Sequence, residues 1–441
     1  MNERKSRYLN RRLQVFKASR INKLLLILLG LWIFIAVFAD LIATDQPLVV
    51  SYKGETLFPA VSALYDSHRV EFYKENESDK NIQELDLEII DWKQVDAEWV
   101  IGALIPWNNE KPDVYNRDFV GPFDEQKIKA ANGNMQVSPV RFRHYLGTDR
   151  LGRDLTAMLI HGSRISLKIG LLSAFIASLI GLLLGGISGY YGDNKLKLKR
   201  LTYLMTGMGF FAGIFWGFVS RSSSIAEGFS EGFFSSILQI LISLLFIIIP
   251  SALAYLLSIY LPAGKWLQTR TNVSLDTLIQ RFSELFSTMP KILVLLTLAA
   301  VFRDKSVGMV IAIIGFTSWT GISRLCRAEL LRIRSLNYIE AAEVQGFKSW
   351  TILFKYALPN AMGPVIIEIA FLISGSILAE SSLSFLGIGV PVEVSTWGLI
   401  LSEGRQDFDA WWMVIFPGLA IFFTILLFNS FGQRLRSIRS T

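Results

Sequence analysis

The chain reads as an all-α polytopic membrane protein with about eight transmembrane helices, and three observations predict this. Half of its 441 residues are hydrophobic, 51% by count, with abundant Phe and Trp. Eight windows of about twenty apolar residues recur along it, the length that crosses a hydrocarbon core. Basic residues gather in alternate loops between those windows, as the positive-inside rule requires. The windows are residues 24–43, 165–190, 201–219, 233–260, 282–302, 307–326, 361–388 and 411–431.

Residues 1–43 are expected to hold a basic cytoplasmic N-terminus and the first helix. The apolar run between Lys23 and Asp40 is long for the core of a signal peptide, and no small-x-small cleavage site follows before Thr44. The helix is therefore expected to stay attached.

Residues 44–159 read as an extracytoplasmic acidic insertion and outer loop. Residues 44–140 carry eighteen Asp plus Glu against nine Lys plus Arg, a net −9, so with a total of +7 the rest of the chain carries +16. That remainder crowds residues 4–23, 195–200, 265–281, 324–355 and 434–439, the loops a cytoplasmic side needs, and this accounts for the basic balance without nucleic acid. Leu48, Val50 and Tyr52 alternate before a Lys53-Gly54 turn, which predicts a short hairpin. Leu85, Leu87 and Ile89 alternate within an acidic stretch, which predicts a small structured cap; a solvated linker has the same composition. The stretch from His144 to Asp154 then supplies turns at Gly147 and Gly152. Its charges at Asp149, Arg150, Arg153 and Asp154 are suited to local pairing at a membrane surface, a structural role.

Residues 160–192 hold the second helix, and residues 193–274 an inserted pair of helices joined by a Ser-rich turn at 220–230. Two spans return the chain to the same side. Residues 275–441 form the remaining core, with a break at Met289-Pro290 and a helix rich in small residues (Gly315, Thr317, Ser318, Thr320, Gly321, Ser323), as close packing in lipid prefers. A polar loop at 329–360 interrupts this core. Glu340, Ala341 and Ala342 are expected to begin a short helix that Gly346 ends, since Gly tolerates positive φ cheaply. Ile352, Leu353 and Tyr356 then fall on one face of a second helix, and Pro359 is expected to mark the turn into the next span. Two short helices with a small-residue tip and one apolar stripe suit docking.

The spacing Glu340-Ala341-Ala342, Gly346, Leu358-Pro359 resembles the signature loop of ATP-binding-cassette importer permeases, with Tyr356 standing where that family usually has Ile. Leu146-Gly-Thr-Asp-Arg-Leu-Gly-Arg-Asp154 resembles the dipeptide, oligopeptide and nickel permeases, and residues 40–59 are more weakly similar to the microcin C and oligopeptide branch. The resemblance covers about residues 141–192 and 276–439. It implies a type I permease fold, six family helices plus the inserted pair, in the inner membrane with both termini cytoplasmic. It also implies two ATPase partner subunits, a sister permease and an extracytoplasmic solute-binding protein. The coupling residues it implies are Glu340, Ala341, Ala342, Gly346, Leu353, Tyr356, Leu358 and Pro359. The solute is expected to be a peptide or peptide-like compound, with nickel or another small solute as an alternative.

Glu368 and Glu380, with Ser374 and Ser376, lie in an otherwise apolar helix, where ionisable groups are costly and face a cavity or a partner. They are candidates for a translocation path or gate. No catalytic residues and no resident cofactor are expected: no phosphate-binding G-x-x-x-x-G-K-[ST] occurs, so ATP and Mg belong to partner chains. None of His68, His144 and His161 pairs with Cys, Asp or Glu at metal-ligand spacing inside a helix, so no metal site is expected. Two other readings share these features, a membrane sensor and a scaffold subunit with a permease-like fold.

Overall fold

The computed structural model describes residues 19–52, 55–64, 69–73, 82–86, 92, 98–129, 134–193, 195, 197–231, 233–262, 264–302 and 305–440. In chain order the principal elements are helix α1 (Arg20–Val37), strands β1 (Val49–Tyr52), β2 (Glu55–Leu57), β3 (Arg69–Tyr73), β4 (Ile82–Asp86), β5 (Trp99–Ile101), β6 (Lys127–Lys129) and β7 (Met135–Val137), and helix α2 (Leu155–Tyr191). Next come β8 (Lys197–Lys199), α3 (Arg200–Ile214), α4 (Ser222–Glu231), α5 (Phe233–Tyr260), β9 (Arg270–Asn272), α6 (Leu275–Thr288) and α7 (Lys291–Val301). The last are α8 (Val307–Thr317), α9 (Thr320–Arg334), α10 (Asn337–Val344), α11 (Leu358–Phe385), α12 (Trp397–Gly404) and α13 (Trp412–Ser440).

Among the described residues seven helical spans are long and apolar enough to cross a membrane, and α6 with α7 makes an eighth if the pair is one span. That pair bends by 86° at the Met289-Pro290 break. Met289 is extended, as a residue before proline tends to be, and Pro290 opens the next helix. The chain is thus a multi-pass membrane protein of the all-α class expected. The window at 307–326 continues to Arg334 through a short break at Ser318 and Trp319.

The chain gathers into two compact units, one from Ile169–Leu383 and Phe428–Thr441, the other from Lys17–Lys168 and Ser384–Leu427. In the first unit, α2 packs on α9 through Gly181, Gly185 and Gly189. A Cβ at Gly185 would lie 2.4 Å from the Ser323 carbonyl oxygen, and one at Gly189 would lie 2.8 Å from that of Arg327. The pair α3 and α5 repeats the device: at Gly209, Gly213 and Gly217 of the α3 segment a Cβ would meet Pro250, Ile247 and Ser243 of α5 at 2.5–2.7 Å. Both are small-xxx-small seams, which let helix backbones approach where lipid offers no hydrophobic drive for association. The turn expected at 220–230 is instead the helix α4. Tertiary contacts override the weak helix propensity of Ser here. Arg221 donates to the Gln239 side chain and lies over the Phe246 ring, and Gly228 seats against Gln239.

The flanks of the segment that carries α3 and α5 meet. Asp193 accepts from the Thr277 backbone N–H at 3.1 Å and from its hydroxyl at 2.8 Å. Its carboxylate thereby satisfies a first-turn donor of α6.

In the second unit, β1 pairs antiparallel with β2 and β5, Val50 lying opposite Leu57. This is the hairpin expected from alternation; its Lys53-Gly54 turn lies outside the described residues, as do Leu87, Ile89 and His68. Leu85 falls in β4, which pairs with β3. Helix α2 starts at Leu155 because the Asp154 side chain accepts from the Ala157 N–H at 2.7 Å.

Candidate functional site

The polar loop after α9 is built on a buried base. Ile339 and Ala342 of α10, and Ile352 and Leu353 beyond it, pack with Leu330 and Ile333 of α9. The short helix begins at Asn337, so Glu340 lies in its first turn instead of at its start. It ends as the sequence requires. Gly346 has φ +76, its N–H donates to Glu343, and the Phe347 N–H donates to Ala342 at 3.2 Å. These paired bonds are a Schellman closure, which calls for a residue free to adopt the left-handed region.

Pro359 does not turn the chain. Residues 349–385 form one continuous helical span, in which Ile352–Ala357 is a π-helical segment. Proline in an α-helix loses a hydrogen bond and its ring crowds the carbonyl four residues back; the wider π segment before Pro359 relieves that crowding. Leu353 is buried, Tyr356 and Leu358 are half-buried and Pro359 is exposed, so the apolar stripe faces the base of the loop.

Glu340, Ala341 and Gly346 are exposed, and beside them lie side chains that the motif did not single out. Val344 is 88% exposed, with Trp350 at 57%, Phe354 at 56% and Phe347 at 44%. Trp350 stacks on Phe354 with ring centroids 5.4 Å apart and planes 7° apart, and Phe347 lies 6.0 Å from Tyr356. An exposed apolar patch rimmed by Glu340, Glu343, Lys348 and Lys355 marks an interaction surface. The signal was present in the sequence as aromatics at positions 347, 350 and 354, spaced to follow one helical face.

The loop is fastened to the membrane helices by polar contacts. Lys195 pairs with Glu343 and lies 4.1 Å from the Tyr190 ring centroid. Asn360 donates to the Tyr338 hydroxyl at 3.1 Å. Higher on α9, Arg327 donates to both carboxylate oxygens of Asp276 at 2.5 and 2.6 Å, and Ser188 of α2 donates to the same carboxylate. Three helices therefore share one bidentate ion pair.

The translocation candidates lie on α11 but do not converge. Ser376 and Glu380 share a face by i, i+4 spacing and are fully buried, and Ser381 donates to Glu380 at 3.4 Å. Ser374 is turned away and bonds back to Ala370. Glu368 is half-buried three turns earlier, next to Gly321, where a Cβ would lie 3.4 Å from its Oε1.

The charged motif before α2 is consumed internally. Asp149 accepts from Arg153 N–H and Nε at 2.7 and 2.6 Å, and Arg153 reaches Glu403 at 2.9 Å. Arg150 is exposed. Gly152, at φ +91, backs onto Asp113 so closely that a Cβ would lie 2.2 Å from its carbonyl oxygen. Sequence reasoning missed His144, which is fully buried between Asp154 at 2.9 Å and Asp113 at 3.2 Å, with Trp107 stacked on it at 4.0 Å. Two carboxylates accept from both ring nitrogens only if the ring is an imidazolium. Burial pushes the imidazole down, but bonding to Asp113 and Asp154 more than reverses this and raises its titration above the ordinary value. Asp113 is driven up by burial and more strongly down by His144, Tyr115 and Asn116, so it stays below the usual carboxylate range.

Comparison with known proteins places this geometry in context. Residues 260–437 match the family described as binding-protein-dependent transport system inner membrane component. The chain is 27% identical over 430 residues to the peptidoglycan transport system permease protein YejE of Agrobacterium fabrum, covering 95% of this chain and 88% of that one. It is 26% identical to the inner membrane ABC transporter permease protein YejE of Escherichia coli, over 90% and 89% of the two chains. It is 25% identical to the dipeptide transport system permease protein DppC of Bacillus subtilis, over 72% and 75%.

Proposed function

As a member of the binding-protein-dependent transport family of inner membrane components, the chain is a permease subunit of an ABC importer, and we propose that it carries peptides or peptide-like solutes across the inner membrane. The relatives named for peptidoglycan and dipeptide transport support that solute class. Two ATPase subunits bind ATP and Mg and hydrolyse the nucleotide; a sister permease and an extracytoplasmic binding protein complete the assembly. Both termini and the loop at 329–360 lie on the cytoplasmic side, and the acidic residues 44–140 lie outside.

The observation that carries this reading is the exposed face of Glu340, Ala341, Val344, Trp350 and Phe354 over the buried base of Ile339, Ala342 and Leu353. A partner seated on that face moves α10, and α10 is packed on α9, which the Arg327–Asp276 pair ties to α6. Closure of the ATPases thereby favours one helix packing over another, which is alternating access. Glu368, Ser376 and Glu380 are the path or gate residues on α11.

The test is purification of the full chain from its native membrane, wild type against Glu340→Lys, with mass spectrometry of what stays bound. Recovery of ATPase subunits and a second permease with wild type alone supports the reading. Recovery of neither transfers the weight to a sensor or scaffold role.

A further inference from the structure

The inserted hairpin ends in two very different ways. At the turn between α3 and α5, Arg221 is satisfied internally by Gln239 and the Phe246 ring. At the base, β8 and β9 form a two-stranded ribbon in which Lys199 lies directly opposite Arg270, and Lys197 opposite Asn272. Alternation puts Lys197, Lys199 and Arg270 on one face, and all three are exposed. Lys265 is exposed beside them. Among the described residues no acidic side chain pairs with any of these four cations. Like charges facing each other across a ribbon are destabilising, so the arrangement calls for an anion from outside the chain.

The surroundings identify that anion. Lys199 leads directly into α3, and Tyr260 closes α5 shortly before Lys265, so the cations lie where two apolar spans end. Tyr260 is 83% exposed, Trp266 63% and Tyr203 44%, and Arg200 lies 4.8 Å from the Trp266 ring centroid. Exposed Tyr and Trp at the ends of apolar helices are headgroup-level anchors. A phosphate between Lys199 and Arg270 there would carry its acyl chains along the exposed apolar sides of α3 and α5.

We propose that the β8–β9 ribbon is a binding site for the headgroup of an anionic phospholipid, with Lys197, Lys199, Lys265 and Arg270 as its cations and Trp266 and Tyr260 as its interfacial anchors. The site stands whatever solute the chain carries. It gives the inserted pair a task that the six family helices leave open, holding the chain at an anionic membrane surface.

The experiment is native mass spectrometry of the full chain extracted in mild detergent from bilayers of equal phosphatidylglycerol and phosphatidylcholine. It compares wild type, a Lys197→Gln, Lys199→Gln, Arg270→Gln triple variant, and Lys197→Arg, Lys199→Arg as a charge-keeping control. The expected result is preferential retention of phosphatidylglycerol by wild type and by the arginine control, falling by about fivefold for each cation removed. Unchanged preference in the glutamine variant overturns the site. So does a thermal shift of the detergent-solubilised chain by inorganic phosphate alone that matches the shift with the lipid. In protein purified from the native membrane, loss of co-purifying ATPase by the glutamine variant with lipid content unchanged overturns it in favour of a protein partner. If the glutamine variant does not fold, loss of preference in the arginine control, which keeps every charge, counts against the proposal.

Discussion

Arg327 grips Asp276 with a planar fork, Nε to one carboxylate oxygen and Nη2 to the other, on the helix α9 that leads into the polar loop. Ser188 adds a third bond to the same carboxylate. Removal of either charge leaves the other, a buried carboxylate or a partly buried guanidinium, without its partner. Asp276→Ala and Arg327→Ala are each expected to destabilise the chain by about 1–3 kcal/mol. The double variant is expected to cost less than the sum, by about 1–3 kcal/mol of coupling. Thermal denaturation of the four proteins in detergent checks this; strict additivity would sink the idea that the pair acts as a unit.

Gly346 separates conformational strain from steric conflict, because nothing lies within 4 Å of where its Cβ would be. Only its φ of +76 resists substitution. Gly346→Val is expected to cost about 1–2 kcal/mol in the loop, insert normally and lower uptake while ATP hydrolysis persists. Gly346→Asn, which tolerates the left-handed region, is expected to stay near wild type. Solute uptake and ATP hydrolysis measured in the same proteoliposomes decide it, and equal coupling in the valine variant would count against the loop's role.

Gly185 and Gly186 are neighbours with opposite surroundings. A Cβ at Gly185 would lie 2.4 Å from the Ser323 oxygen, whereas nothing lies within 4 Å at Gly186. Gly185→Ala is expected to push α2 away from α9 at a cost of about 1–3 kcal/mol, and Gly186→Ala to be neutral or slightly stabilising. Melting temperatures of the two variants provide the comparison. A tolerated Gly185→Ala would mean the seam is not close-packed.

His144 sets a pH window. Its folded-state titration is raised above 6.5, so the stabilisation it supplies is complete below that value and is lost as pH rises through the raised one. Asp113 is lowered below 3.8, so its contribution is present above that value and is lost as pH falls through the lowered one. Stability of the Lys17–Lys168 unit is therefore expected to be greatest between those two ordinary values and to decline toward alkaline pH. Hydrogen exchange of the buried amides around residues 144–154, followed against pH, measures it. A flat profile in wild type would refute the clamp.

Much of this was legible in the chain because the bilayer leaves few choices. Spans need length and apolarity, and Pro290 breaks a helix wherever it stands without a compensating turn. The Gly346 closure was legible because αL geometry has few candidates. Pro359 was misread for the complementary reason: a π segment whose formation depends on packing of Ile352 and Leu353 removes the conflict that local rules foresee. His144 meets Asp113 from 31 positions away, a pairing that no local periodicity announces. Helix α4 was invisible for a similar reason, since it is Gln239 and Phe246 of another helix that order it.

The bond between Asp193 and Thr277 bears on what removal of the hairpin would do to the rest of the chain. The two ends of the segment that carries α3 and α5 touch, and the segment holds two helical spans long and apolar enough to cross a membrane. A single in-frame gain or loss of residues 194–274 would therefore neither reroute the remaining chain nor reverse the orientation of anything downstream.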